Sequence, residues 1–150
     1  MKNISFYSIL ACIFIINTAS TCSSDDSNSS STTDPTPIIN TVTQGTWRVT
    51  YYFDTDTDET SDFAGYNFTF GSSNVLTATN GTNTYTGSWS VTSDNSPSSD
   101  LNFNILFASP VNFEDLSDDW DIVSRTSTKI ELIDVSGGNG GTDYLTFEKN

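Results

Sequence analysis

Gly45-Thr46-Trp47-Arg48-Val49-Thr50-Tyr51-Tyr52-Phe53 alternates large apolar side chains with more polar ones. Trp47, Val49, Tyr51 and Phe53 fall on one side of an extended chain, and Arg48, Thr50 and Tyr52 on the other. A period of two marks a half-buried antiparallel strand. The stretch therefore predicts a strand that turns three aromatic rings toward a core.

The same period recurs downstream. Tyr66, Phe68 and Phe70 share a face, and residues 74–79 form a third strand running into Asn80-Gly81, a hairpin signal. Tyr85, Trp89 and Val91 alternate with small polar residues. After the loop 93–100, Leu101, Phe103, Ile105 and Phe107 repeat the pattern. Phe113 and Leu116 are three apart, which predicts one helical turn whose apolar side caps an end of the sheet. Strands resume over 120–126, 129–135 and 144–149.

Short connections between successive strands favour neighbours in sequence as neighbours in space, and closing the sheet removes its edges. The expected fold is all-β: an eight-stranded antiparallel up-and-down meander over residues 44–150, closed or nearly closed into a barrel. A barrel of that size either fills with side chains or holds one small ligand. So many inward rings predict a filled interior, with at most a shallow pocket at the end away from Trp47.

The N-terminus is built differently. Met1-Lys2-Asn3 precedes the uncharged apolar run 4–16, and small residues lead to Cys22. A basic start followed by a short apolar stretch is the pattern of an export signal, too short for the roughly 20 residues of a membrane-crossing helix. Ala19-Ser20-Thr21-Cys22 resembles the cleavage box of a bacterial lipoprotein signal. That resemblance implies a signal peptide over 1–21 and acyl chains on Cys22, which would hold the protein to a membrane. Ser23-Ser24-Asp25-Asp26 resembles the tag that directs Bacteroidetes lipoproteins to the outer face of the outer membrane. Cleavage before Cys22 would leave one cysteine, so no internal disulfide is expected. The polar, proline-containing stretch from Ser23 to about Pro37 makes 22–43 an expected flexible tether, with docking onto the domain expected to begin at Ile38-Ile39.

The barrel stretch carries a second resemblance. "GTWRVT", "GYNFTF", "YTGSWSV", "DDWDIVS" and "DYLTFEK" are similar to the lipocalin-like domains of exported Bacteroidetes lipoproteins. The resemblance assigns Gly45 and Trp47 to the barrel floor, with Arg125 as the late-strand arginine packed beside the tryptophan.

Composition narrows the chemistry. The chain has no histidine, which removes Ser-His-Asp and Cys-His catalysis and histidine-held zinc. Beyond residue 22 only Arg48, Arg125, Lys129 and Lys149 stand against all 19 acidic residues, so nucleic acid is not an expected partner. The acidity favours a soluble monomer. Asp54, Asp56, Asp58 and Asp62 resemble the opening of a calcium loop, but Glu59 stands where glycine is needed and Gly65 where the closing glutamate is needed. No cofactor or metal is expected. The Gly-rich run 136–143 lacks the lysine of a phosphate loop and reads as a hairpin loop. Trp47, Trp89 and Trp120 lie on alternating apolar faces, so packing is favoured over a sugar platform.

Two functions fit: a non-catalytic surface lipoprotein whose barrel binds a small apolar ligand or acts as an interaction module, or a carbohydrate-binding module of a glycan-capture system. An exposed aromatic row would favour the second, a mouth opening into the barrel the first.

Overall fold

The computed structural model describes residues 34–93, 100–136 and 140–150, which belong to one compact unit, Ser31–Asn150. The stretch expected to be a signal, Cys22 and Ser23 to Asp26 lie outside the described residues, as do most of the 93–100 loop and the middle of the Gly-rich run.

The strands are β1 (Trp47–Asp54), β2 (Thr57–Asp58), β3 (Asn67–Phe70), β4 (Val75–Thr79), β5 (Thr84–Ser93), β6 (Leu101–Leu106), β7 (Asp118–Arg125), β8 (Lys129–Val135) and β9 (Thr142–Lys149). All neighbouring pairs are antiparallel and follow chain order, and β1 also pairs with β9, closing a barrel of eight strands to which the two-residue β2 is an addition on β1. The expected meander is present. One seam is thin: β1 meets β3 only at Trp47 and Phe68.

Two helices cap the barrel. At the floor, α1 (Thr36–Val42) buries Ile38 and Val42. Packing thus starts before Gln44, within the stretch expected to be tether. The prolines that suggested an unstructured segment occupy the start of the helix, where a missing N–H costs nothing. At the roof, α2 (Val111–Glu114) buries Phe113, and Leu116 follows it into the core, as their spacing predicts. A single 3-10 turn over Thr60–Phe63, not expected from the sequence, adds Phe63 to the same roof.

The core is largely aromatic. Phe113 touches Phe63, Tyr66, Phe68, Tyr85 and Phe107, with ring centroids 4.8 to 6.0 Å apart. Lower down, Phe70 meets Trp89, Phe103 and Phe147 edge-on. Each tryptophan indole donates to a backbone carbonyl of a segment that is not a barrel strand: Trp47 to Val42 O at 2.9 Å, Trp89 to Gly71 O at 3.0 Å and Trp120 to Leu116 O at 3.0 Å. Buried N–H groups need a partner. Here those partners fasten α1, the β3–β4 hairpin and the segment after α2 onto the barrel.

One face assignment is reversed. In β1 the pairing with β9 steps from Val49–Phe147 to Tyr51–Thr146, leaving Thr50 as an extra residue. Such a bulge shifts the alternation by one. Tyr52 therefore points inward at 1% exposure, while Tyr51 and Phe53, expected in the core, lie on the outer face.

Candidate binding surface

No mouth opens into the barrel among the described residues at the roof, where Phe63, Phe113 and Leu116 are buried. A hollow of about 500 Å³, open to solvent, is elsewhere. It lies at the floor end beside Ile38, between the start of β6 and the last residues of β7. These strands pair only as far down as Asn102–Asp121, and a second bulge at Val123 carries β7 away from β6. The expectation of a pocket at the end opposite Trp47 is thus corrected: the splay of β6 and β7, not the barrel mouth, makes the hollow. Leu101 and Ile122 form apolar wall, while Asp34, Asp100, Asp121 and Arg125 are its charged residues.

The hollow adjoins a strip on the outer face. The bulge at Thr50 turns Tyr51 and Phe53 outward, with near-parallel rings (15°) whose centroids are 6.3 Å apart. Direct cross-strand partners share a face. Phe53 stands opposite Tyr144, Tyr144 opposite Ile133, and Ile133 opposite Asp121, which lines the hollow. Tyr51 is 40% exposed and Tyr144 41%. The row below runs Tyr51, Thr146, Glu131, Ser124. In it Glu131 accepts from both Lys129 Nζ and Ser124 Oγ. Lys129, then Ser124, hold the Glu131 carboxyl below its ordinary value, and Glu131 in turn lifts Lys129. The result is a band of rings beside a row of fixed hydrogen-bonding groups.

The residues assigned to the floor separate. Gly45 has φ +81°, a conformation that suits glycine, and a Cβ there would press on Lys149 Cε at 3.3 Å. Trp47 is fully buried. The cation over its ring, 5.3 Å from the centroid, is Lys149 Nζ. Arg125 is exposed and lines the hollow instead. Lys149 is placed by its register opposite Trp47 on the last strand, which the sequence alone does not reveal. Trp89 and Trp120 are buried, in keeping with packing. Asp54, Asp56, Asp58 and Asp62 spread over the end of β1, the turn, β2 and the 3-10 turn. Among the described residues, no three His, Cys, Asp or Glu side chains converge as a metal-binding group.

A solved structure resembles this fold. It is a DUF4847 family protein from Bacteroides vulgatus ATCC 8482, similar at 15% sequence identity and a TM-score of 0.47, over 75% of this chain and 97% of that one. No protein-family model and no curated protein matches the chain.

Proposed function

We propose that the chain is a membrane-anchored lipoprotein, displayed on the outer membrane facing the cell exterior, whose barrel binds through its outer surface and catalyses nothing. The observation that carries the binding mode is the filled interior: the rings around Phe113 and Phe70 occupy the space that a ligand inside the barrel would need. The anchor rests on Cys22 with the small residues before it, and the outward display on Ser23 to Asp26. Acyl chains suit this role because a tether of two or more chains binds a membrane far more firmly than one. The absence of histidine supports a non-catalytic reading, and the net charge of −14 supports a monomer without nucleic-acid partners.

A second reading, capture of glycans, is favoured by the outward rings of Tyr51, Phe53 and Tyr144, which a closed binding barrel does not require.

The anchor is tested with the full chain expressed in cells. Cys22→Ser should abolish labelling by a fatty-acid probe and release the protein from membranes. Asp25→Ala with Asp26→Ala should leave the protein lipidated but shielded from protease added outside. Retention and labelling of the Cys22→Ser variant would overturn the anchor, and undiminished protease access in the double variant would reduce Ser23 to Asp26 to a spacer.

A further inference from the structure

We infer that the strip of Tyr51, Phe53 and Tyr144, together with the adjoining floor-end hollow, is a binding site for neutral or amino-bearing oligosaccharides. The inference deepens the glycan-capture reading and rests on it.

The chemistry follows from what the two rows offer. A pyranose ring has a face of C–H bonds and an edge of hydroxyls, so a site for it needs aromatic surface and hydrogen-bonding groups side by side. Tyr51 and Phe53 supply near-parallel aromatic surface, and Tyr144 extends it onto β9. Glu131 and Ser124, already held in one geometry by their mutual hydrogen bond and by Lys129, supply acceptor lone pairs, and the remaining N–H groups of Lys129 Nζ supply donors beside them. Groups that are fixed before binding lose less freedom on binding.

Shape and charge select among ligands. The row from Phe53 to Asp121 crosses four strands, about 14 Å at the usual inter-strand spacing, and ends in the hollow. That is an elongated track, suited to several sugar units rather than one. The hollow holds Asp34, Asp100 and Asp121 against Arg125, within a chain of net charge −14. Uronates and sulfated sugars are repelled by this field, while uncharged sugars are tolerated and amino sugars attracted. The same field opposes a second copy of the chain on this face.

The test uses the purified full chain in a detergent without a sugar headgroup. Cellotetraose, a chitosan tetrasaccharide and tetragalacturonate are titrated by calorimetry, and each sugar is recovered for size analysis. Both of the first two should bind, and tetragalacturonate at least about tenfold more weakly. Tyr51→Ala and Tyr144→Ala should each weaken binding about fivefold to tenfold with little change in melting temperature, since both rings are exposed. Tyr51→Leu and Tyr144→Leu keep apolar surface without a π face, and should lose binding in the same way. Absence of binding by the first two sugars, binding untouched by the Tyr51 and Tyr144 variants, preference for tetragalacturonate, or self-association lost on Tyr144→Ala would each overturn the site. Recovery of shortened sugar, with binding still dependent on Tyr51 and Tyr144, would support the site but overturn the non-catalytic reading. Anchoring is read separately by Cys22→Ser.

Discussion

Tyr52 spans the roof of the barrel: its Oη donates to Asp115 O at 2.7 Å, joining β1 to the segment that follows α2 across 63 residues of sequence. Its ring also meets Phe63 and Trp120 edge-on, so a single side chain ties the 3-10 turn, α2 and β7 together.

Replacing Tyr52 by Phe keeps the ring and removes the donor, leaving Asp115 O short of a partner. A cost of about 1 kcal/mol is expected. Burial, then the charges of Asp54, Asp115, Asp143 and Glu59, hold the Tyr52 phenol well above its ordinary value of 10. The folded chain therefore keeps a proton that the unfolded chain releases. Its contribution is full below about pH 10 and is lost as pH rises toward the folded value. Urea unfolding of wild type should weaken more steeply with alkaline pH than that of Tyr52→Phe. Parallel curves would disprove the coupling.

At the floor, Trp47→Ala should cost about 3 to 5 kcal/mol, the range for deleting a large buried aromatic. It also orphans Val42 O and removes the ring beneath Lys149. Trp47→Phe should recover most of the packing but not the bond to α1. Equilibrium unfolding decides this: a loss under roughly 1 kcal/mol for Trp47→Ala, the range for surface changes, would contradict a tightly packed floor.

Asp118, opposite Ile105 at the upper end of β7, has its carboxyl pushed up to about 6. Burial is the main cause; the Asp119 amide opposes it, and the Asp119 and Asp134 carboxylates add to the rise. A folded value above the unfolded one of 3.8 means that the protonated carboxyl favours the fold: the contribution is full below about 3.8 and is lost as pH rises through about 6. Relative to Asp118→Asn, wild type should gain stability on going from about pH 7 to about pH 4. Solvent at this partly exposed group keeps the effect small. A constant difference between the two urea midpoints across that window would refute it.

The strands were legible because most alternate in phase with burial, as Phe68 with Phe70 and Leu101 with Phe103 and Ile105 do. The site was not, because it depends on where that phase breaks. Thr50 is one polar residue among others in the sequence, yet as the bulge it decides that Tyr51 and Phe53 leave the core and Tyr52 enters. The adjacent pair Tyr51-Tyr52 was the available hint, since two like residues cannot both keep the alternation. Lys149 and Arg125 could not be told apart without register, which sets Lys149 opposite Trp47. Phe63 was the signal for the roof turn: a lone large ring in the polar run 54–65 has a reason to be buried. Gly87 was readable too. A glycine inside the "YTGSWSV" strand signals close approach, and a Cβ there would lie 2.8 Å from the Phe107 ring and 2.3 Å from Leu106 O.

Both described ends of the domain are at the floor: α1 leads into Trp47, and Asn150 N donates to Thr46 O at 3.0 Å, with Asn150 Nδ2 reaching Thr46 Oγ1 and Asn67 Oδ1. This fixes how the domain responds to pulling. Tension between the two ends acts across the antiparallel β1–β9 seam from one side, so its hydrogen bonds are loaded one after another, as in a zipper, rather than all together in shear. The first elements to take that load are the Asn150 latch and the Val42–Trp47 bond. Once they part, the exposed Trp47 leads the opening of the barrel from its floor upward, while the roof around Phe113 is the last part to feel the strain.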